Sequence, residues 1–190
     1  MMKQYDISTL VLIALLVIAC SGTALKLGTS WNPNEEKFFD NGIDILDTTS
    51  NAFSQWGFQQ KTTLEGRVQL SDYIAVVKIR SIKTTNNTDG GEAKHIGVTI
   101  SDELYGSHPE KQLSLKSNQS FPGYVLVQRY EKRLKGEFIL FSRWFSETVN
   151  GPDPQGLGYR FHLSLASPAM LEAVKKKITT RMTLEAKGRP

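Results

Sequence analysis

The sequence predicts a mainly β domain, a small antiparallel barrel or sandwich followed by a C-terminal α-helix. Three observations carry that expectation. Tyr73 to Ile82 is a long run rich in β-branched residues. Ile96, Val98 and Ile100 alternate with Gly97, Thr99 and Ser101, and Tyr159, Phe161, Leu163 and Leu165 alternate with Arg160, His162 and Ser164, the two-residue period of strands with one apolar face. Ser167-Pro168 then opens a stretch in which Leu171, Val174, Ile178 and Met182 recur at helical spacing.

The chain begins with a different kind of segment. Lys3 precedes the apolar run Leu10 to Cys20, LVLIALLVIAC, which is short for a bilayer span and ends in small residues, the layout of an export signal. Its end, Val17-Ile18-Ala19-Cys20, resembles the lipobox of bacterial lipoproteins. By that resemblance residues 1–19 are a signal peptide, and Cys20 takes a diacylglycerol on sulfur and palmitate-like acyl chains as the first residue of the mature protein. A cut near Ala19 or Ala24 without lipid is the alternative. Each buried methylene contributes about 0.8 kcal/mol, so two or three acyl chains make a lasting anchor. Ser21, where an Asp favours inner-membrane retention in such lipoproteins, leans the expectation toward the outer membrane.

Removing the signal from the 190 residues leaves one domain of ordinary size and a tether. With 39% hydrophobic and 22% charged residues the chain is globular in composition. Cys20 is its one cysteine, so acylation excludes a disulfide scaffold, a cysteine nucleophile and a cysteine metal site. The net charge of +4 is too mild for a nucleic-acid footprint, and nucleic acid is not expected as a partner.

Residues 20–34 read as a lipidated tether closed by the turn signal Trp31-Asn32-Pro33-Asn34. Residues 35–62 are a lead-in without an assigned structure, because Phe38, Phe39, Ile43, Ile45 and Leu46 favour a helix while Asn41-Gly42 favours a turn. Within it Trp56 and Phe58 are either an exposed patch or a cap on the core. Residues 63–166 form the β domain. Thr63 to Leu70 gives one or two helical turns, Tyr73 to Ile82 a strand, Thr84 to Glu92 a polar hairpin loop, and Ile96 to Ser101 its return strand. Leu104-Tyr105-Gly106 ends that strand. Leu113 and Leu115 mark a third, Tyr124 to Tyr130 and Phe138 to Phe145 are two further apolar stretches, and Tyr159 to Leu165 is the last strand, making five or six in all. Residues 167–183 are the helix and 184–190 a tail. On the helix Lys175, Lys176 and Lys177 lie largely off the apolar stripe, as a solvated face or as a contact to an anionic surface.

The order of a short helix, then Ser71 to Ile79, Ile100 to Gly106, Gly136 to Phe141 and Tyr159 to Leu163 resembles the netrin-like and TIMP-like group of OB-type barrels, over about Leu64 to Leu165. That resemblance implies an OB-like barrel and action by binding proteins. The zinc-chelating inhibition known in the group needs a free N-terminal cysteine and disulfides, and does not transfer here.

No catalytic or metal-ligating residue and no cofactor is assigned. His95, His108 and His162 fall on separate segments without metal-site spacing, Asp102 and Glu103 point to opposite faces of a strand, and no GxSxG, P-loop or GxGxxG occurs. The expectation is a lipid-anchored cell-envelope protein working as a non-enzymatic binding or assembly module. Its membrane contact is the lipid on Cys20, its partner another envelope protein met through Trp56, Trp144 and Phe145, and no small-molecule substrate is identified. An envelope hydrolase built from dispersed residues and a structural surface lipoprotein are the alternatives.

Overall fold

The computed structural model of the protein describes residues 32–44, 57–86, 91–134, 136–145 and 158–188. Cys20, Ser21 and Trp56 lie outside these residues. Six strands form one curled, mixed half-barrel sheet in the order β1-β6-β5-β2-β3-β4. They are β1 (Gly42–Asp44), β2 (Tyr73–Asn86), β3 (Glu92–Tyr105), β4 (Gln112–Asn118), β5 (Glu137–Trp144) and β6 (Tyr159–Leu165). Three α-helices accompany them, α1 (Gly57–Leu70), α2 (Tyr124–Tyr130) and α3 (Pro168–Ala186).

The mainly β architecture with a C-terminal helix is as the sequence predicts. β2 and β3 form the expected antiparallel hairpin. Three register shifts along it, at Ile74/Ala75, Val76/Val77 and Ile79/Ser81, add local twist and bend the long strands into the half-barrel. The sheet is not purely antiparallel, because β1 pairs with β6 in parallel. Asn41 enters β1 at φ +52°, a left-handed turn that Asn tolerates. Gly42 follows because its Cα lies against Gly123 at the start of α2, and a Cβ there would come within 2.6 Å of that backbone. The lead-in thus supplies an edge strand, and α1 begins at Gly57, well before Thr63.

Tyr124 to Tyr130 is a correction, being helix and not strand. Pro122-Gly123 opens a turn, and Tyr124 and Val127 are buried three residues apart while Val125, Gln128 and Arg129 are exposed, which is helical spacing. Its apolar residues had the composition of a strand and the period of a helix.

Alternation splits the core between the two faces of the sheet. On the concave face Tyr73, Ala75, Val77, Ile96, Val98, Ile100, Leu140, Phe161 and Leu163 pack with Val127 of α2. On the convex face Ile74, Ile139 and Phe141 pack beneath Val68 of α1 and Met170, Val174 and Ile178 of α3. β6 is covered on both sides, so Arg160, His162 and Ser164, polar in sequence, are buried all the same.

α3 starts as its sequence predicts, with Ser167 Oγ accepting the Met170 N–H at 3.2 Å. Its apolar stripe ends earlier than expected. Met182 is 55% exposed, and the inward position is taken by Arg181. Arg181 Nη1 donates to the carbonyls of Val68 and Ser71 at 2.7 Å each, at the C-terminal end of α1, where helix carbonyls lack intrahelical partners. The guanidinium also lies 4.1 Å from the Tyr105 ring centroid and pairs with Glu185 at 2.8 Å.

Candidate functional site

Trp144 closes β5 on the concave face, where β4, β5 and β6 leave a cleft of about 240 Å³. Leu113, Leu115 and Leu140 line its apolar wall, with Glu110 and the Ser114 carbonyl at its polar rim. The Trp144 indole stacks on His108, with centroids 5.7 Å apart and planes at 26°, and meets Tyr159 edge-on at 5.8 Å. Tyr73 and Phe161 extend this row at its two ends.

Hydrogen bonds fix the row in place. The Trp144 N–H donates to Asp72 at 3.0 Å. The Glu110 N–H lies 3.1 Å and the Glu110 carbonyl 3.2 Å from His108 Nδ1, which holds the ring in place. Glu103 accepts the His108 N–H and the Tyr73 hydroxyl at 3.1 Å each and pairs with Lys111 at 3.6 Å. Its carboxyl is held below the ordinary range by the His108 N–H foremost, then by Tyr73 and Lys111 against the opposing effect of burial. Burial and the facing Glu103 push the Tyr73 phenol up. Tyr159 bridges to the opposite edge of the sheet, accepting the Lys116 N–H at 3.1 Å and donating to the Ser114 carbonyl at 2.9 Å.

Of the binding-surface residues expected from the sequence, Trp144 lines this cleft, and Trp56 lies outside the described residues. Phe145, the next residue, points to the other face and is buried, so it is not on the surface with Trp144. Lys175 and Lys176 are exposed on α3, while Lys177 is half-buried and faces Glu65 of α1 at 3.5 Å. The three histidines occupy three different environments, and among the described residues no group of three or more His, Cys, Asp or Glu side chains is arranged to hold a metal.

A second polar cluster lies inside the domain. Asp40, just before β1, accepts from His162 Nδ1 at 2.8 Å and from the Gly42 N–H at 3.0 Å. Burial alone would raise the Asp40 carboxyl, but His162, Arg67 and the Gly42 N–H outweigh it and bring it below its ordinary value. Burial, then the Arg67 charge, lowers His162 despite Asp40, so the imidazole is neutral. An acid holding Nδ1 of an imidazole is the orienting half of a general-base arrangement. His162 Nε2, however, is buried with no hydrogen-bond partner, and the residue is only 2% exposed. Sequence reasoning missed the pair because Asp40 sits in a lead-in whose periodicity is contradictory and lies 122 residues from its partner.

Fold and site together define a curled half-barrel with an aromatic cleft in its concave face. No protein-family model, curated protein or solved structure matches the chain.

Proposed function

We propose that this chain is a lipid-anchored cell-envelope protein, held on a membrane through Cys20, with the outer membrane favoured by Ser21, and that it acts as a non-enzymatic binding or assembly module. The cleft beside Trp144 carries the reading. At about 240 Å³ it falls below the size usual for substrate and cofactor pockets and suits one bulky side chain of a partner protein, with an apolar wall for the side chain and a polar rim for its backbone. The resemblance to protein-binding OB-type barrels points the same way. The hydrolase alternative has less support, since His162, the imidazole that a carboxylate orients, is closed off from solvent. No helix of the described residues is long and apolar enough to cross a membrane, so an anchor would have to lie elsewhere in the chain.

Two measurements test this. Cys20→Ser should release the protein from the membrane fraction and leave it larger than the processed form; membrane association at the wild-type size would remove the lipoprotein reading. Glu110→Trp, which covers the cleft from its exposed rim, and Trp144→Ala should each reduce recovery of a cross-linked envelope partner at least ten-fold. Undiminished recovery with both folded variants would remove the cleft from the binding reading.

A further inference from the structure

The helices α1 and α3 cover the convex face only around Ile74, Ile139 and Phe141. Beyond Lys78 the face is open. Three cross-strand rows run over β2, β3 and β4 there: Lys83, His95 and Lys116; Ser81, Gly97 and Ser114; Lys78, Thr99 and Gln112. Directly paired residues share a face, and the contacts of His95 with Thr85 Oγ1 and of Arg80 with Thr99 Oγ1, each at 3.1 Å, fix it as the face opposite the buried Ile96, Val98 and Ile100. Arg80 is the residue added at the Ile79/Ser81 register shift, and it lies over Thr99.

Gly97 lacks a side chain at the centre of these rows, and a depression of about 480 Å³ opens over it. Arg80 forms one wall, with the hydroxyls of Ser81 and Thr99 and the amide of Gln112 around it, and Val98 and Leu113 complete the lining. Lys78, Lys83 and Lys116 flank it. Among the described residues no carboxylate is ion-paired with Arg80 or with these lysines, and the acidic side chains paired across this face are Glu137, opposite Lys78 on β5, and Asp102, opposite Val76 on β2. Folding therefore sets four cations, hydroxyl donors and a spare guanidinium fork around one concavity. An Arg fork flanked by lysines and neutral donors matches the oxygens of a tetrahedral phosphate, whereas a cationic ligand would meet repulsion.

We propose that this depression is a phosphate-binding site, taking a phosphate-bearing ligand whose oxygens meet Arg80 and whose further charge is met by Lys83 and Lys116. It is distinct from the cleft at Trp144, which opens on the other face, although Leu113 of β4 lines both.

The test uses the full chain in a neutral detergent, titrated calorimetrically with tripolyphosphate and, separately, with micelles doped with phosphatidylglycerol or with phosphatidylcholine. Binding of tripolyphosphate should weaken as salt rises, and Arg80→Gln, Lys83→Gln and Lys116→Gln should each weaken it by about five-fold. Lys175→Gln with Lys176→Gln should leave it unchanged. These side chains are exposed or half-exposed, so unaltered melting will show that the variants fold. If phosphatidylglycerol micelles bind and phosphatidylcholine micelles do not, with the same dependence on Arg80, the phosphate is a lipid headgroup; tripolyphosphate binding alone makes it a soluble phosphate. Absence of binding to both probes, or variants that bind as tightly as the wild type, would overturn the proposal.

Discussion

Asn41 Nδ2 donates to the Lys116 carbonyl at 3.0 Å, while its Oδ1 accepts the Phe161 N–H at 3.1 Å. Asn41 precedes β1 and Lys116 lies on β4, the two outer strands of the sheet, so one buried amide side chain ties together margins that no ladder joins. Tyr159 adds a second tie through its hydroxyl. The half-barrel is in this way closed by side chains where a full barrel would use backbone pairing.

Asn41→Ala should therefore cost about 1–3 kcal/mol, since it strands a buried N–H and a buried carbonyl, and the left-handed backbone adds strain for any residue with a Cβ. Asn41→Gly removes the strain and keeps the loss of the two bonds, so it should fall between the wild type and Asn41→Ala. Urea unfolding measures both. Equal midpoints for all three would mean that the sheet margins are held without this residue.

Legibility in the sequence followed the range of the interactions. β2, β3, β6 and the start of α3 are written in local periodicity and in one capping pair, Ser167 with Pro168, and could be read directly. β1 could not, because three residues carry no period and its pairing partner β6 lies about 120 residues away. The candidate sites were less legible than the fold. Trp144 stood out by type, but His108 joins it only through the loop after β3, and the phosphate-site rows exist only once β4 is in register with β3. The parity of Trp144 and Phe145 is strand arithmetic, yet which of the two faces opens to solvent is decided by where α1 and α3 pack.

Arg181 illustrates a long polar side chain replacing an apolar one at a helix interface. Arg181→Leu removes the donor from two carbonyls at the end of α1 and the cation from Tyr105, and should cost about 2–4 kcal/mol despite added apolar surface. Met182→Ala, on the stripe expected from sequence, should change stability by less than about 0.5 kcal/mol. Chemical unfolding of the two variants checks the ordering, and a larger loss for Met182→Ala would mean that α3 is rotated.

Acid should destabilise the fold in two stages. His162 takes up a proton less readily folded than unfolded, so the unfolded chain binds more protons once the pH falls below about 6.5, and stability drops from there toward the folded value. Asp40 is likewise lowered on folding, and its contribution is present above the ordinary carboxylate value and lost as the pH falls through the folded one. The charged and titratable neighbours of the pair are Arg67 on α1 and Asp44 on β1. In His162→Gln the first stage should vanish and the second shrink, because His162 leads the groups that lower Asp40. Unfolding midpoints between pH 7.5 and 2 measure both stages, and an unchanged slope between pH 7.5 and 5 in the variant would assign the first stage to another group.

The lysines of α3 form a second basic surface, and its character is decided by what each side chain faces. Lys177 is half-buried against Glu65, an exposed partner at 3.5 Å, so Lys177→Gln should cost less than about 0.5 kcal/mol. Lys175 and Lys176 are exposed, without an ion pair among the described residues. If they were a membrane contact, each would add about 1 kcal/mol of attraction near an anionic surface, weakening with salt. We expect instead that Lys175→Gln with Lys176→Gln leaves both melting and binding to phosphatidylglycerol micelles within error of the wild type, because these two lysines adjoin no concavity and no donor set comparable to that around Arg80. Loss of micelle binding in this variant, with Arg80→Gln still binding, would move the anionic contact from the sheet to α3.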